Sequence, residues 1–376
     1  MKRYRFIFLL VIFTLAIFGC GDGSSSHRKG GNGGGGNNAV VYDDTTPLCF
    51  NSSGSTSVSI KINGTLGGNI PALEYSKDGQ NWTPIVLENG ETVEVTALSD
   101  GEKVYLRAQN TNNSFSEDVF NFIQFIFTGD GSTIAASGNI MSLLDKTLNS
   151  TEIPCDGCFC YLFKNCATLT RAPALPATIL TSSCYAYMFY GCTSLVTAPA
   201  LPAETLASSC YQNMFEGCTS LETAPDLPAT TLASSCYQNM FSGCTSLVTA
   251  PDLPVTELVM SCYAGMFSGC TNLVTAPKLP ATVLANYCYK AMFAVCTSLV
   301  NAPALPAETL ATDCYYQMFL NCTNLNYLKV SFKTWGTQTY YWVQNVSATG
   351  TFICPAALDE DFDCHKIPLG WNVENP

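Results

Sequence analysis

The sequence predicts an α/β solenoid, with short parallel strands on one face and helical turns on the other, preceded by a small antiparallel β-sandwich. Three observations predict this fold. A 26-residue unit recurs seven times from Cys158, each unit holds two cysteines eight residues apart, and the segment before the repeats alternates apolar and polar residues. A fixed period of about 20 to 50 residues is typical of solenoids, whose units bury their apolar faces against one another.

The repeat unit contains one segment suited to a helix and one suited to a strand. Read from Cys210, the unit is CYQNMFEGCTSLETAPDLPATTLASS. Cys210, Met214 and Cys218 lie four residues apart, a spacing that predicts a short amphipathic helix with one buried side. Residues 221–224 suit a strand, but Pro225 has no N–H to give to a ladder, so the strand must be short. We therefore expect a concave face of short strands and a convex face of helical turns.

The segment 47–135 predicts a separate β-sandwich domain. Period-two alternation occurs at Val58–Ile62 and Lys103–Arg107, and Asp78-Gly79 lies between two such stretches. An Asp-Gly pair flanked by alternating residues is a strong hairpin signal. Two roles remain open for this domain: a spacer that lifts and caps the solenoid, or a ligand-binding module of its own.

The N-terminus predicts export and attachment to a membrane. A basic start and an apolar run over Phe6–Phe18 are typical of a signal peptide, here residues 1–19, and the run is shorter than the roughly 20 residues that cross a bilayer. Ile17-Phe18-Gly19-Cys20 resembles a bacterial lipobox, which implies a lipidated Cys20; an ordinary cleaved signal and an uncleaved anchor are the alternatives. Residues 20–46 are glycine-rich and predict a flexible tether.

The order Cys-x-x-Leu, short strand, Leu-Pro and an apolar turn ending in Met-Phe-x-Gly-Cys resembles the BspA-like leucine-rich repeats of bacterial surface lipoproteins, in the 26-residue variety of the Bacteroides type. Residues 137–147 and 348–358 are similar to the segments that flank the repeats in that family. The resemblance implies an α/β leucine-rich-repeat solenoid with an N-terminal cap (136–157), seven repeats (158–326) and a C-terminal cap (327–376). It also implies an adhesin-like binding protein of the cell surface or periplasm.

The cysteines allow several interpretations. Those of the repeats fit a ladder of buried free thiols, because free cysteine packs as a small hydrophobe, or inter-rung disulfides. Cys155-x-x-Cys158-x-Cys160 superficially has the spacing of a metal-thiolate cluster, but Cys158 is a repeat position, so no metal site is expected. Outside the repeats, Cys354 and Cys364 are candidates for a disulfide, and Cys155 and Cys160 are a second candidate pair.

Composition excludes several function classes. The net charge is −12, which argues against a nucleic-acid partner. His27 and His365 are the only histidines, and neither lies in the repeats, so no nucleophile has an evident base and no enzymatic activity or cofactor is expected. Trp335, Trp342 and Trp371 suit packing in the C-terminal cap, with a sugar-stacking platform as the alternative.

Outward positions on the strand face are the candidate binding residues. Two residues after the conserved leucine of each middle unit comes a threonine, and three residues later an aspartate or a lysine. The candidates are Thr223, Asp226, Thr249, Asp252, Thr275 and Lys278. Threonine is also simply a good strand residue, so the row has a purely structural explanation as well.

The sequence as a whole predicts a binding protein anchored to the outer membrane by its lipid and facing outwards, with a protein or glycan ligand. The alternative is a structural envelope or stalk protein that has no specific ligand.

Overall fold

The computed structural model describes residues 44–67 and 70–375. The predicted signal peptide, Cys20 and most of the predicted tether lie outside the described residues. Two 3₁₀ turns, Ile140–Leu143 and Thr337–Thr339, are the only helical elements of the described chain. The strands are β1 (Leu48–Ser53), β2 (Thr56–Asn63), β3 (Leu73–Ser76), β4 (Thr83–Ile85), β5 (Thr92–Leu98), β6 (Lys103–Ala108), β7 (Phe122–Thr128), β8 (Thr133–Ser137), β9 (Leu169–Arg171), β10 (Tyr327–Lys329), β11 (Thr351–Ile353) and β12 (Asn372–Glu374).

Two sheets pack face to face before the repeats. One has six strands in the order β4-β3-β6-β1-β8-β9 and the other three in the order β5-β2-β7. Phe50 of the first sheet meets Phe125 and Phe127 of the second, with ring centroids 5.0 Å apart in both pairs. Strands β3 and β4 pair antiparallel on either side of Asp78-Gly79, which confirms the predicted hairpin.

The six-stranded sheet runs without a break into the repeats. Its last strand, β9, belongs to the first repeat and pairs parallel with β8, where Ile134 lies opposite Leu169. From β9 onward the strand face continues as parallel bridges, such as Arg171 to Thr197 and Thr197 to Thr223. One buried apolar cluster extends from Leu48 to Trp371. The sandwich therefore closes the first rung of the solenoid and shares its core.

The predicted helical face is wrong. The segment from Cys210 to Cys218 is a succession of β-turns, in which every second N–H bonds three residues back, as from Gln212 to the carbonyl of Ser209 (3.1 Å). The remaining N–H groups bond to the next rung, as from Asn213 to the carbonyl of Gln238 (2.9 Å). An α-helix would direct all of these groups within the segment. No α-helix occurs in the part of the chain that the structure describes.

A left-handed residue at every fourth position produces this spiral of turns. In the third unit the φ angles are 54° at Ser209, 55° at Asn213 and 74° at Gly217. Asparagine and glycine adopt this backbone region more readily than other residues. Because the turns repeat every four residues, Cys210, Met214 and Cys218 all point inward, as the sequence analysis expected of a helix. The burial pattern was predicted correctly and its cause was not.

Stacked aromatic rings run along the core. The tyrosines that follow the first cysteine of each unit, from Tyr185 to Tyr315, stack with ring centroids 5.8–6.2 Å apart. The phenylalanines from Phe163 to Phe319 stack at 5.4–5.8 Å. Phe125 of β7 stacks on Phe163 at 5.4 Å, so the sandwich extends the phenylalanine ladder by one ring.

The tail closes the other end of the solenoid. Trp342 is fully buried and lies 6.3 Å from Tyr315 and 6.4 Å from Phe319, ring centre to ring centre, where a further rung would place its own rings. The N–H of Phe319 bonds to the carbonyl of Trp342 at 2.8 Å, as it would to a following rung. Parallel strands β10, β11 and β12 complete this end. A solenoid needs such an atypical last unit, because its final rung would otherwise expose an apolar edge.

Candidate functional site

The strand face presents an outward row of polar side chains. In the third unit Leu221 and Leu227 are buried, whereas Thr223 and Asp226 between them are exposed. Parallel bridges align the threonines of neighbouring rungs, as between Thr249 and Thr275. Together the exposed residues of the three middle rungs form what we call the threonine–charge row. It consists of Thr223, Asp226, Thr249, Asp252, Thr275 and Lys278.

The charged side chains of this row stand outside the ion pairs that the described residues form. None of the ion pairs between described residues involves Asp226, Asp252 or Lys278. Exposed ion pairs contribute little to stability, and these three side chains form none with another described residue.

Part of the row borders a groove between the fifth and sixth rungs. The groove has a volume of about 640 Å³, and Thr275 and Lys278 contribute to one wall. Its other wall comes from Asn301, Ala302, Pro303, Ala304 and Pro306. The structure thus brings Thr275 and Lys278 together at a depression, while the candidates of the third and fourth rungs lie outside it.

Two residues of this groove, Val274 and Pro303, were missed by the sequence analysis, and Asn301 occupies the same position in its unit as Thr275 does. Val274 has 53 % of its surface exposed, and Asn301 is also exposed. Pro303 adds an apolar surface to the wall opposite Lys278. The signal for Val274 was present in the sequence, because valine follows the repeat leucine in four of the seven units, at Val196, Val248, Val274 and Val300. Each of these valines is exposed.

His365 and Cys364 are neighbours in space as well as in sequence. Nδ1 of His365 accepts the N–H of Tyr341 at 2.9 Å, and Nε2 lies 3.6 Å from the Cys364 sulfur. With Nδ1 as the acceptor, the proton of the neutral ring is on Nε2. Nε2 therefore faces the sulfur as a donor, and the pair lacks the base that activates a cysteine nucleophile.

The three tryptophans hold the tail in place. Their indole N–H groups donate to main-chain carbonyls: Trp335 to Asp359 (2.8 Å), Trp342 to Lys366 (2.8 Å) and Trp371 to Ser347 (2.7 Å). A sugar platform needs free ring faces, whereas Trp342 and Trp371 are buried. Their contacts support the cap.

The structure contains no bridge between any two of the nineteen described cysteines. Cys354 is buried and Cys364 half-buried, and the disulfide between them stays a prediction. Burial raises the pKa of Cys354. The thiol of Cys160 bonds to the carbonyl of Asp118 at 3.2 Å. No group of three potential metal ligands occurs among the described residues.

The described part of the chain has no helix long and apolar enough to cross a bilayer. No curated protein and no solved structure matches the chain.

A family model does match. The model, described as a BspA type leucine rich repeat region, fits six copies over residues 158–274 and 212–347. The match covers half of the chain and includes the rungs that carry the threonine–charge row. Proteins with these repeats are generally non-enzymatic interaction scaffolds and are typically associated with the cell surface or envelope. With its seven 26-residue rungs and their paired cysteines, the chain belongs to the BspA-type leucine-rich repeat family.

Proposed function

We propose that the protein is a lipid-anchored binding protein on the outside of the cell envelope, and that the threonine–charge row binds a protein or a glycan. The observation that carries this proposal is the exposure of all six side chains of the row on the strand face, each pair lying between two buried leucines. Six polar groups repeat there at the spacing of the rungs, and the three charged ones have no ion-pair partner among the described residues.

A rigid framework supports the row. Hydrogen bonds from alternate N–H groups join each turn segment to the next rung, as from Phe215 to the carbonyl of Met240 (2.9 Å). The stacked tyrosines and phenylalanines fill the space behind the strand face. A preformed surface loses little conformational entropy when it binds, so more of the contact energy becomes affinity.

The chemistry of the row selects the type of ligand. Carboxylates accept and threonine hydroxyls both donate and accept, a combination that suits the hydroxyls of a sugar or the cations of a basic peptide. A polyanion would meet the repulsion of a chain with net charge −12, except close to Lys278. The groove beside Lys278 adds apolar surface from Val274 and Pro303, against which the non-polar face of a sugar ring or a side chain can pack.

The tether and the predicted lipid at Cys20 would hold this surface away from the membrane. A single change tests the anchor: Cys20→Ser should abolish labelling by a palmitate analogue and release the protein from the membrane fraction. Cys364→Ser is the matched control and should keep both the label and the membrane association. Equal labelling of wild type and Cys20→Ser would refute the lipid anchor.

The binding proposal is tested with a glycan array and a panel of host-matrix proteins. Wild type is compared with the double variant Asp226→Ala/Asp252→Ala, which should lose affinity for the ligand that wild type binds. Glu88→Ala/Glu91→Ala is the control, because it removes two exposed acidic groups from the sandwich instead.

Loss of binding in the row variant alone supports the proposal. Equal binding by the row variant and wild type rejects the row as the site, and loss in the control alone assigns binding to the β-sandwich. Failure of wild type to bind any member of either panel would favour a structural envelope role.

A further inference from the structure

The hydrogen-bond ladder of the strand face is interrupted between the fifth and sixth rungs. Two main-chain bonds join the fourth rung to the fifth, from Val274 to the carbonyl of Val248 (3.0 Å) and from Ala250 to the carbonyl of Thr275 (3.3 Å). The sixth and seventh rungs make the equivalent pair of bonds, at 3.0 and 2.9 Å. In the described chain neither bond joins the fifth rung to the sixth, and the groove beside Thr275 lies at this interruption.

The interruption leaves main-chain polar groups without a partner at the groove. One missing bond would join the N–H of Val300 to the carbonyl of Val274. The other would join the N–H of Ala276 to the carbonyl of Asn301. These four groups have no hydrogen-bond partner among the described residues. Since such groups are normally satisfied by water or a ligand, the groove offers two donors and two acceptors besides its side chains.

Two exposed lysines flank this groove. Lys278 belongs to its wall in the fifth rung. Lys329 of β10 lies next to Ala304 of the opposite wall, because a parallel bridge pairs Leu305 with Val330. Neither lysine forms an ion pair with another described residue. The groove therefore lies in a positive part of the strand face.

The charge on the strand face changes sign along the solenoid. At the position of Lys278 the third and fourth rungs carry Asp226 and Asp252, which are both exposed. A ligand with many negative charges would meet repulsion on these two rungs, whereas a single negative group over the groove is attracted by Lys278 and Lys329. The charges thus fit a chain that is neutral apart from one anionic group at the groove.

We propose, building on the binding function proposed above, that the groove binds a hexuronate and that neutral sugars linked to it lie over the third and fourth rungs. The carboxylate of the hexuronate pairs with Lys278, and Lys329 adds to the attraction. The neutral sugars donate hydroxyl hydrogen bonds to Asp226 and Asp252, which accept only.

The other groups of the groove suit the rest of the sugar ring. Hydroxyls both donate and accept, so they can bond to the side chains of Thr275 and Asn301 and to the unpaired main-chain groups on either wall. Val274 and Pro303 offer apolar surface for the C–H face of the ring. The volume of about 640 Å³ lies within the range of small-ligand sites, roughly 300 to 1,000 Å³.

An inserted peptide strand does not fit the interruption. Such a strand would need the two rungs about 9.6 Å apart, which is twice the spacing of neighbouring strands. The turn segments hold the same two rungs at ordinary hydrogen-bond distance, as from Phe267 to the carbonyl of Met292 at 2.9 Å. A sugar that lies over the groove and reaches into it with hydroxyl groups needs no such separation.

The test compares two sugars that differ only at the acidic group, methyl glucuronide and methyl glucoside, in NMR titrations of the full chain. Wild type should bind the glucuronide about tenfold more tightly, the value of one charged hydrogen bond. Lys278→Gln should lose this preference and leave the affinity for the glucoside unchanged. Lys146→Gln is the matched control, because it removes an exposed lysine outside the repeats, and it should bind as wild type does.

Equal binding of the two sugars by wild type, or no binding of the glucuronide, would overturn the proposal. An unchanged preference in Lys278→Gln would do the same. N-acetyl-tetraalanine, whose carboxylate is that of a peptide, is titrated in parallel, and tighter binding of this peptide than of the glucuronide would also reject the hexuronate.

The variant Asp226→Ala/Asp252→Ala separates this proposal from the function on which it rests. If that variant loses an array ligand that Lys278→Gln still binds as wild type does, the threonine–charge row is a binding site and the hexuronate assignment fails. If the variant keeps the array ligand and Lys278→Gln loses the glucuronide preference, the groove stands and the acidic part of the row is rejected. Near-ultraviolet circular dichroism verifies that the variants fold.

Discussion

The thiol of Cys244 donates a hydrogen bond to the main-chain carbonyl of Phe215, 29 residues earlier in the chain, at 3.1 Å. The same carbonyl accepts the N–H of Cys218 within its own rung at 3.0 Å. The second cysteine of every rung repeats this contact to a preceding phenylalanine, at 2.9–3.2 Å. Six of these thiols therefore fill the core and join two neighbouring rungs, and the seventh, Cys166, joins the first rung to β7.

Truncation of one such thiol should have a moderate cost. We expect Cys244→Ala to lower the free energy of unfolding by about 1–2 kcal/mol, from a small cavity and one lost weak hydrogen bond. The carbonyl of Phe215 keeps the N–H of Cys218, so no buried polar group is left without a partner. Urea denaturation measures the change. Cys364→Ala, at a half-buried position outside the repeats, should change stability by no more than about 0.5 kcal/mol. Equal effects of the two changes would contradict the packing role.

The fourteen repeat thiols should be inert in the folded chain. Burial raises the pKa of every one of them, and a raised pKa lowers the thiolate fraction available at neutral pH. We expect iodoacetamide to leave them unmodified in native buffer and to alkylate them in denaturant without a reductant. Cys155 should react first in native buffer. If most repeat cysteines need reductant before they can be alkylated, they are disulfides and the thiol ladder is wrong.

The hairpin carboxylate should titrate in strong acid. Asp78 accepts the N–H groups of Asn81 and Gln80, each at 2.8 Å, and these hydrogen bonds hold its pKa well below the usual range. A lowered folded pKa stabilises the hairpin fully above the unfolded value of about 3.9, and that stabilisation is lost as the pH falls through the folded value. We expect NMR titration of the Asp78 carboxyl carbon to show a midpoint well below that of an ordinary aspartate. A midpoint close to 4 would show that the two N–H bonds do not form in solution.

The sequence predicted which side chains of a rung are buried better than it predicted the backbone that buries them. Residues four apart, such as Cys210 and Met214, fit a helix, yet a true helix rotates about 40° further at each such step. A turn that repeats every four residues keeps them aligned. The distinguishing signal was on the opposite side of the unit, where Ser209, Asn213 and Gly217 recur at four-residue intervals with positive φ.

Contacts that cross from the sandwich to the first rung could not be predicted from the repeat. The sequence analysis paired Cys155 with Cys160 because both lie outside the repeat pattern. In the structure the Cys155 thiol bonds to the carbonyl of Ser116, and the Cys160 thiol bonds to the carbonyl of Asp118. Both contacts depend on a loop about forty residues earlier in the chain, which no local spacing reveals. The groove at Thr275 and Lys278 depends in the same way on how two rungs meet.

The column of left-handed residues contains one unfavourable member. Val295 has a φ of 64° at the position that Gly191, Gly217, Gly243 and Gly269 occupy in earlier rungs. A β-branched residue is strained in this backbone region, whereas glycine is not. We therefore expect Val295→Gly to raise the free energy of unfolding by about 1 kcal/mol, after allowing for the greater freedom of glycine in the unfolded chain.

Val300 provides the matched control for this change. Its side chain is 38 % exposed against 37 % for Val295, and its φ is not positive. Val300→Gly should lower stability by about 0.5–1 kcal/mol, because there glycine brings only its cost in conformational entropy. If urea denaturation shows that Val295→Gly raises the free energy of unfolding and Val300→Gly lowers it, the left-handed turn is the cause, since the two changes remove the same side chain at equal exposure. A loss of stability in both variants would show that the turn at Val295 relaxes in solution and stores no strain.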